Sequence, residues 1–267
     1  MDGREWLAEL PASLRAQQRI MQRMVQLCEA TPAARVFFVG CSIGRGVADE
    51  FSDIDSFLGT TDDGVEAAVS AVFAALPEMG DLVDTMRHSY RGLTRVVAQF
   101  GGTVQLDLVV APAVTGRAFD EVALYDPDGL TTGSRVKSAD VVTADDIREW
   151  AFLGWNALAN VVKYLARGSL WEALDQLNYT RDRIWALWAA ARGAHYPVYG
   201  LTQVLDRDPS DLPKGIEATV AGLDADELRA AAQASAGLLA RVSELAAGRY
   251  GAELPGPMAA HVTALLT

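Results

Sequence analysis

Gly101 and Gly102 separate two apolar runs, residues 94–100 and 103–110. A glycine pair between such runs marks a β-hairpin, because the tight turn needs positive φ, which glycine adopts without steric cost. An antiparallel pair is therefore expected in this half of the chain, and a purely parallel sheet is excluded. Residues 35–39 (RVFFV) are β-branched and aromatic and read as a buried strand. A second strand is expected over residues 53–59. Before these, Ile20, Met24 and Leu27, with Met21, Val25 and Cys28 beside them, form one stripe of a helix over residues 13–29. Val65, Val69, Val72 and Leu76 mark another helix.

The texture changes near residue 143. Beyond it, long helical stripes replace short apolar runs. Thr143 is placed to cap a helix in which Ile147, Ala151, Gly154, Leu158, Val161 and Leu165 step by four and three, closed by Gly168. Ser169 followed by Glu172 has the spacing of a capping box for a helix through residue 192. A third long helix spans residues 226–248, and a short one ends the sequence. The expected fold is α+β. A small mixed β-sheet domain with its N-terminal helix occupies residues 1–142, and an all-α helical bundle occupies 143–267. Five tryptophans (Trp150, Trp155, Trp171, Trp185 and Trp188) crowd the second half, most of them expected in packing.

Composition narrows the function. Half of the 267 residues are hydrophobic, yet no run approaches the ~18–20 apolar residues of a membrane span. The acidic start MDGREWLAEL does not resemble a secretory signal, so a cytoplasmic location is expected. Cys28 and Cys41 make neither a disulfide framework nor a zinc pattern, and the three histidines are scattered. Any metal should be a hard cation held by carboxylates. With 35 acids against 23 bases, the net charge of −12 disfavours polymer nucleic acid, which needs a cationic track. It suits a cationic small molecule as partner, and equally serves solubility alone.

The chemistry concentrates in residues 40–55, GCSIGRGVADEFSDID, directly after the RVFFV strand. Gly40, Gly44 and Gly46 let backbone approach phosphate oxygens, while the Ser42 hydroxyl and the Arg45 cation can grip them. Asp53 and Asp55, two apart on a strand, point to one face. Converging carboxylates repel unless a cation lies between them, and Mg²⁺ is the usual one. In residues 103–110, Asp107 lies on the face opposite Val104, Leu106, Leu108 and Val110. If that strand lies beside the one carrying Asp53 and Asp55, three carboxylates meet, enough for two metal ions. Asp53 also fits the decoration of a turn after Ser52.

This pattern resembles the nucleotidyltransferase superfamily that includes DNA polymerase β, and within it the bacterial aminoglycoside and lincosamide adenylyltransferases. Their signature is a Gly-Ser pair, roughly ten intervening residues, Asp-x-Asp, and a third acid on a later strand. Here ten residues separate Ser42 from Asp53, and Asp107 is the later acid. One departure is Cys41, which stands where the glycine belongs, with glycine displaced to Gly40. The match covers residues 30–112. The later stretch VVKYLARGSLWEALDQLNYTRDRIWAL is similar to the helical domain that follows in these transferases.

The resemblance implies AMP transfer from ATP to a hydroxyl of a small acceptor, an aminoglycoside or lincosamide, in a groove between the two domains. Gly40, Ser42 and Arg45 would hold the triphosphate, joined by Lys163 and Arg181 from the helical half. Asp53 and Asp55 would bind metal in a site for two Mg²⁺ ions, and Asp107 would bind metal or act as general base. The residues themselves leave alternatives. Lys163 near a helix C-terminus is favoured by the dipole regardless. Arg181 shares a stripe with Leu177, Ile184 and Trp188, so it should point inward and meet an anion, either a phosphate or an acid such as Asp175. A nucleotide-binding regulatory or antitoxin-like module, or a protein-AMPylating enzyme, would share the fold. Monomer and homodimer both remain open.

Overall fold

The computed structural model describes residues 3–90, 93–113, 121–131 and 142–267. The chain divides into two compact units, Met1–Ser138 and Ala139–Thr267.

The first unit is built on a six-stranded mixed sheet. Its strands are β1 (Ala34–Val39), β2 (Ile54–Thr60), β3 (Leu82–Tyr90), β4 (Leu93–Phe100), β5 (Gln105–Pro112) and β6 (Val122–Tyr125), in the order β3-β4-β5-β2-β1-β6. Only β2 and β5 run parallel; the other neighbours are antiparallel. Helices α1 (Gly3–Ala8), α2 (Arg15–Ala30), α3 (Cys41–Arg45) and α4 (Val65–Met79) complete the unit. Met21, Met24 and Cys28 of α2 and Val69, Val72 and Leu76 of α4 bury against Ile54, Leu58, Leu106, Leu108 and Val110. Strand alternation sends the intervening side chains to the opposite face. There Phe38 and Phe57, paired across β1 and β2, stack with ring centroids 4.9 Å apart.

The glycine hairpin forms, with one change from the expected turn. Phe100 N–H donates to the Val104 carbonyl, so Gly101, Gly102 and Thr103 make a three-residue connection, and only Gly102 takes a positive φ (76°). Strands β3 and β6 had no counterpart in the sequence reading. β3 is an edge strand with nearly every side chain solvated, which removes the apolar alternation that signals a strand.

The second unit packs α5 (Ala144–Ala166), α6 (Leu170–Ala191), α7 (Leu201–Arg207), α8 (Ala225–Tyr250) and α9 (Gly256–Leu266) around their own core. Thr143 caps α5 in a complete capping box, reciprocated by Asp146. The expected box at Ser169 is different: its hydroxyl meets the Glu172 carboxylate and takes no backbone N–H. Gly154 is small for a reason, since a Cβ there would stand 2.9 Å from Leu239 Cδ2 of α8. Trp150, Trp155 and Trp185 are buried, and Trp188 donates to the Asp211 carbonyl; Trp171 is exposed. Among the described residues no helix is long and apolar enough to cross a membrane.

Candidate active site at one end of the sheet

The backbone hydrogen-bond ladder builds this site. Strand β1 ends at Val39, opposite Ser56, and the Gly40 N–H then donates to the Asp55 carbonyl at 3.0 Å. That bond ties the start of the glycine loop to the residue carrying the second acid. The loop then coils as the five-residue α3, whose Ile43 is buried in the sheet unit's core and fixes the turn in place. Gly46 closes it in the left-handed region (φ 73°), a conformation glycine adopts readily. From α2, the buried Gln17 donates from Nε2 to the carbonyls of Glu50 (3.2 Å) and Ser52 (3.0 Å). This clamps the chain just before Asp53. The turn itself is made by Asp49 and Ser52, through Asp49 Oδ1 to the Phe51 N–H and the Ser52 hydroxyl. Turn-making therefore falls to Asp49 rather than Asp53.

Asp55 and Asp107 are direct partners in the parallel β2–β5 register. The Ser56 hydroxyl donates to the Asp107 carbonyl at 3.2 Å and reinforces that pairing. The Asp55 carboxyl is held above the ordinary Asp range. Burial is the largest cause, followed by the negative charge of Asp53; a hydrogen bond with the Cys41 side chain opposes the rise, Asp107 adds to it and Arg45 opposes it. Four groups singled out from the sequence (Cys41, Arg45, Asp53 and Asp107) thus act on a fifth, Asp55. Ser42 lies half-buried in the same loop. Cys41, in the position expected to be glycine, has φ 52°, the only positive φ at a non-glycine among the described residues. Glycine is what this backbone favours. The cysteine occupies it while its side chain bonds the Asp55 carboxylate.

Arg95, on β4, was not legible as a site residue. It holds Asp107 in a bidentate ion pair: Nε donates to Oδ1 at 2.7 Å, and Nη2 to Oδ2. Gln17 is the other residue that sequence reading missed. The alternation of β4 puts Arg95 on the Asp107 face, but pairing them requires the hairpin register, which depends on the three-residue turn. Among the described residues no group of three or more His, Cys, Asp or Glu side chains is arranged to hold a metal ion. Asp55 and Asp107 come together, while both Asp107 oxygens face Arg95.

Lys163 and Arg181 belong to the helical unit. Lys163 Nζ donates to Asn160 Oδ1 at 2.7 Å and lies 4.5 Å from the centroid of the Tyr164 ring. Arg181 does turn inward, but it meets neutral oxygens in place of the expected anion. Nε donates to Thr219 Oγ1 (3.0 Å), Nη1 to Asn178 Oδ1 (2.9 Å) and Nη2 to the Thr219 carbonyl. Burial lowers its pKa, countered by Asp182.

The raised Asp55 pKa has a definite sign for stability. The folded state binds this proton more tightly than the unfolded chain, so the contribution is fully present below the ordinary value of 3.8 and is lost as pH rises through the folded pKa. In a divalent-free buffer, the stability of wild type relative to Asp55→Asn should fall as pH rises out of that acid window, then level off. Urea unfolding across a pH series reads this, and a pH-independent difference would rule out the burial-and-repulsion account.

No protein-family description matches the sequence, and no curated protein matches it. The solved structures that match the chain include two bacterial proteins. An aminoglycoside 6-adenyltransferase from Bacillus subtilis is 16% identical, with 94% of this chain and 97% of that one covered at a TM-score of 0.41. A nucleotidyltransferase-like protein from Exiguobacterium sibiricum is 13% identical, with 86% and 77% covered at a TM-score of 0.40.

Proposed function

We propose that the chain is a magnesium-dependent nucleotidyltransferase that moves AMP from ATP to a hydroxyl of a small acceptor, an aminoglycoside or lincosamide antibiotic, releasing pyrophosphate. The observation that carries this reading is the in-register placement of Asp55 and Asp107 on adjacent parallel strands, at the sheet end where the glycine loop bonds to Asp55. The paired Asp55 and Asp107 carboxylates suit a hard divalent cation, and burial with the charge of Asp53 disfavours the Asp55 anion, a cost that Cys41 and Arg45 relieve only in part. Asp53, Asp55 and Asp107 would hold the ion. When bound, it supplies neutralising charge and lowers the pKa of the attacking hydroxyl.

The chain's own groups do the rest. Ser42 and the loop N–H groups bind the triphosphate, and Arg45 offsets its charge. Asp107 accepts the proton of the acceptor hydroxyl as its oxygen bonds to the α-phosphorus. The bond from that phosphorus to the bridging oxygen breaks in line, and pyrophosphate leaves with the electron pair. The net charge of −12 favours a cationic acceptor.

The test is pyrophosphate release with ATP and Mg²⁺ across a panel of aminoglycosides and lincosamides, beside an Asp53→Asn control. Release with one drug class that the control lacks is the expected result. Silence across the panel with Mg²⁺-dependent ATP binding retained would overturn the antibiotic acceptor and point to a metabolite, a protein side chain or a binding role. Full turnover in the control would overturn the metal-site reading.

A further inference from the structure

The ion pair between Arg95 and Asp107 conflicts with the role proposed for Asp107. A carboxylate has two oxygens, and the Arg95 fork engages both. A divalent cation entering the site needs at least one of them. The two cations therefore compete for the same acid. The setting favours exchange: the Asp107 side chain is only 14% exposed and fixed on a central strand, whereas that of Arg95 is 49% exposed and carried on a long stem. Arg95 also responds to the Asp55 charge, so it answers the combined field of the acids at this sheet end.

We propose that Arg95 is a built-in counter-ion of the metal site. It neutralises and orients Asp107 while the site is empty, and it must release the carboxylate before a divalent cation can bind. Arg95 is a positioning residue, and its presence weakens intrinsic cation affinity in exchange for an ordered acid. This inference rests on the proposed function, specifically on Asp107 as a metal ligand.

Mn²⁺ alone, without nucleotide, is the probe, with its binding to the full chain read by electron paramagnetic resonance or calorimetry. Arg95→Gln should bind Mn²⁺ about tenfold more tightly than wild type, and Asp107→Asn should bind it more weakly. In the double variant the gain from Arg95→Gln should disappear, because no carboxylate is left to compete for. A merely structural arginine would give no such gain. Should Arg95→Gln fold poorly, Arg95→Lys keeps the charge, loses the fork and is expected to bind Mn²⁺ more tightly than wild type, short of the Gln variant's gain. Unchanged or weaker Mn²⁺ binding in the arginine variants, with Asp107-dependent binding intact in wild type, overturns the counter-ion role and leaves the functional reading standing. A gain that persists in the Asp107→Asn background overturns it too, since it would be a general charge effect. If wild type binds no Mn²⁺, the metal-site reading itself fails, and the counter-ion role with it.

Discussion

Asp55→Asn is expected to lower turnover by on the order of 10³-fold, roughly 4 kcal/mol of lost transition-state stabilisation, while leaving the fold intact. The side chain is nearly isosteric, and Asp55's backbone carbonyl, which accepts the Gly40 N–H, is untouched. What disappears is the anion, and with it the electrostatic attraction for a divalent cation on the β2–β5 pair. Asp107→Asn should fall as far, since it removes both a ligand and the proton acceptor. The two losses should combine to far less than their product, because the carboxylates serve one ion. Steady-state pyrophosphate release with the accepted drug, alongside circular dichroism, reads both quantities. Near-wild-type turnover in either variant would show that the register pairing of the two acids is structural. The same substitution should also stabilise the protein in divalent-free buffer at neutral pH, since the buried, repelled Asp55 charge is gone. Opposite signs for activity and stability would mark a site whose strain is retained for function.

How far the sequence disclosed this site depends on which forces set each part. The loop and the Asp-x-Asp motif are local: a strand, three glycines and two acids in one short stretch. Asp107's face was legible from period-two alternation alone. Its partnership with Asp55 was legible only conditionally, because the strand order β5-β2-β1 is a tertiary fact that no local pattern encodes. Arg95 was harder still. It needed both the β4–β5 register and a turn of three residues in place of two, and a one-residue change in register moves every side chain to the other face. Gln17 lies 33 residues from the carbonyl of Glu50 that it clamps, and nothing in its helix stripe marks it as polar core. Arg181 shows the converse. Its inward direction followed from the helix stripe, but its partner did not, because the turn over Ile216–Thr219 that offers the Thr219 oxygens has no strong sequence signature. Strand β3 escaped because, where side chains are solvated on both faces, burial imposes no pattern on the sequence.

Leu108→Ala should cost about 3 kcal/mol of stability in the sheet unit, the usual scale for deleting a fully buried leucine side chain. Leu108 is completely buried on β5, opposite Ser56 on β2 and Val96 on β4, so its cavity would open in the middle of the sheet. It is adjacent in sequence to Asp107, yet its side chain points to the other face, into the core with Val69, Val72 and Leu76. Each of the two cores draws its residues from one unit alone. Leu239→Ala, equally buried on α8, should therefore weaken the helical unit by a similar amount, moderated by collapse toward the small Gly154. Differential scanning calorimetry should show the two substitutions acting on different parts of the unfolding profile. A single transition shifted equally by both would mean that the units unfold as one cooperative body. In the first case the sheet unit alone sets the stability available to hold Asp55 and Asp107 together against their mutual repulsion. Leu108→Ala would then lower the temperature at which cation binding by Asp55 and Asp107 is lost, while Leu239→Ala would not.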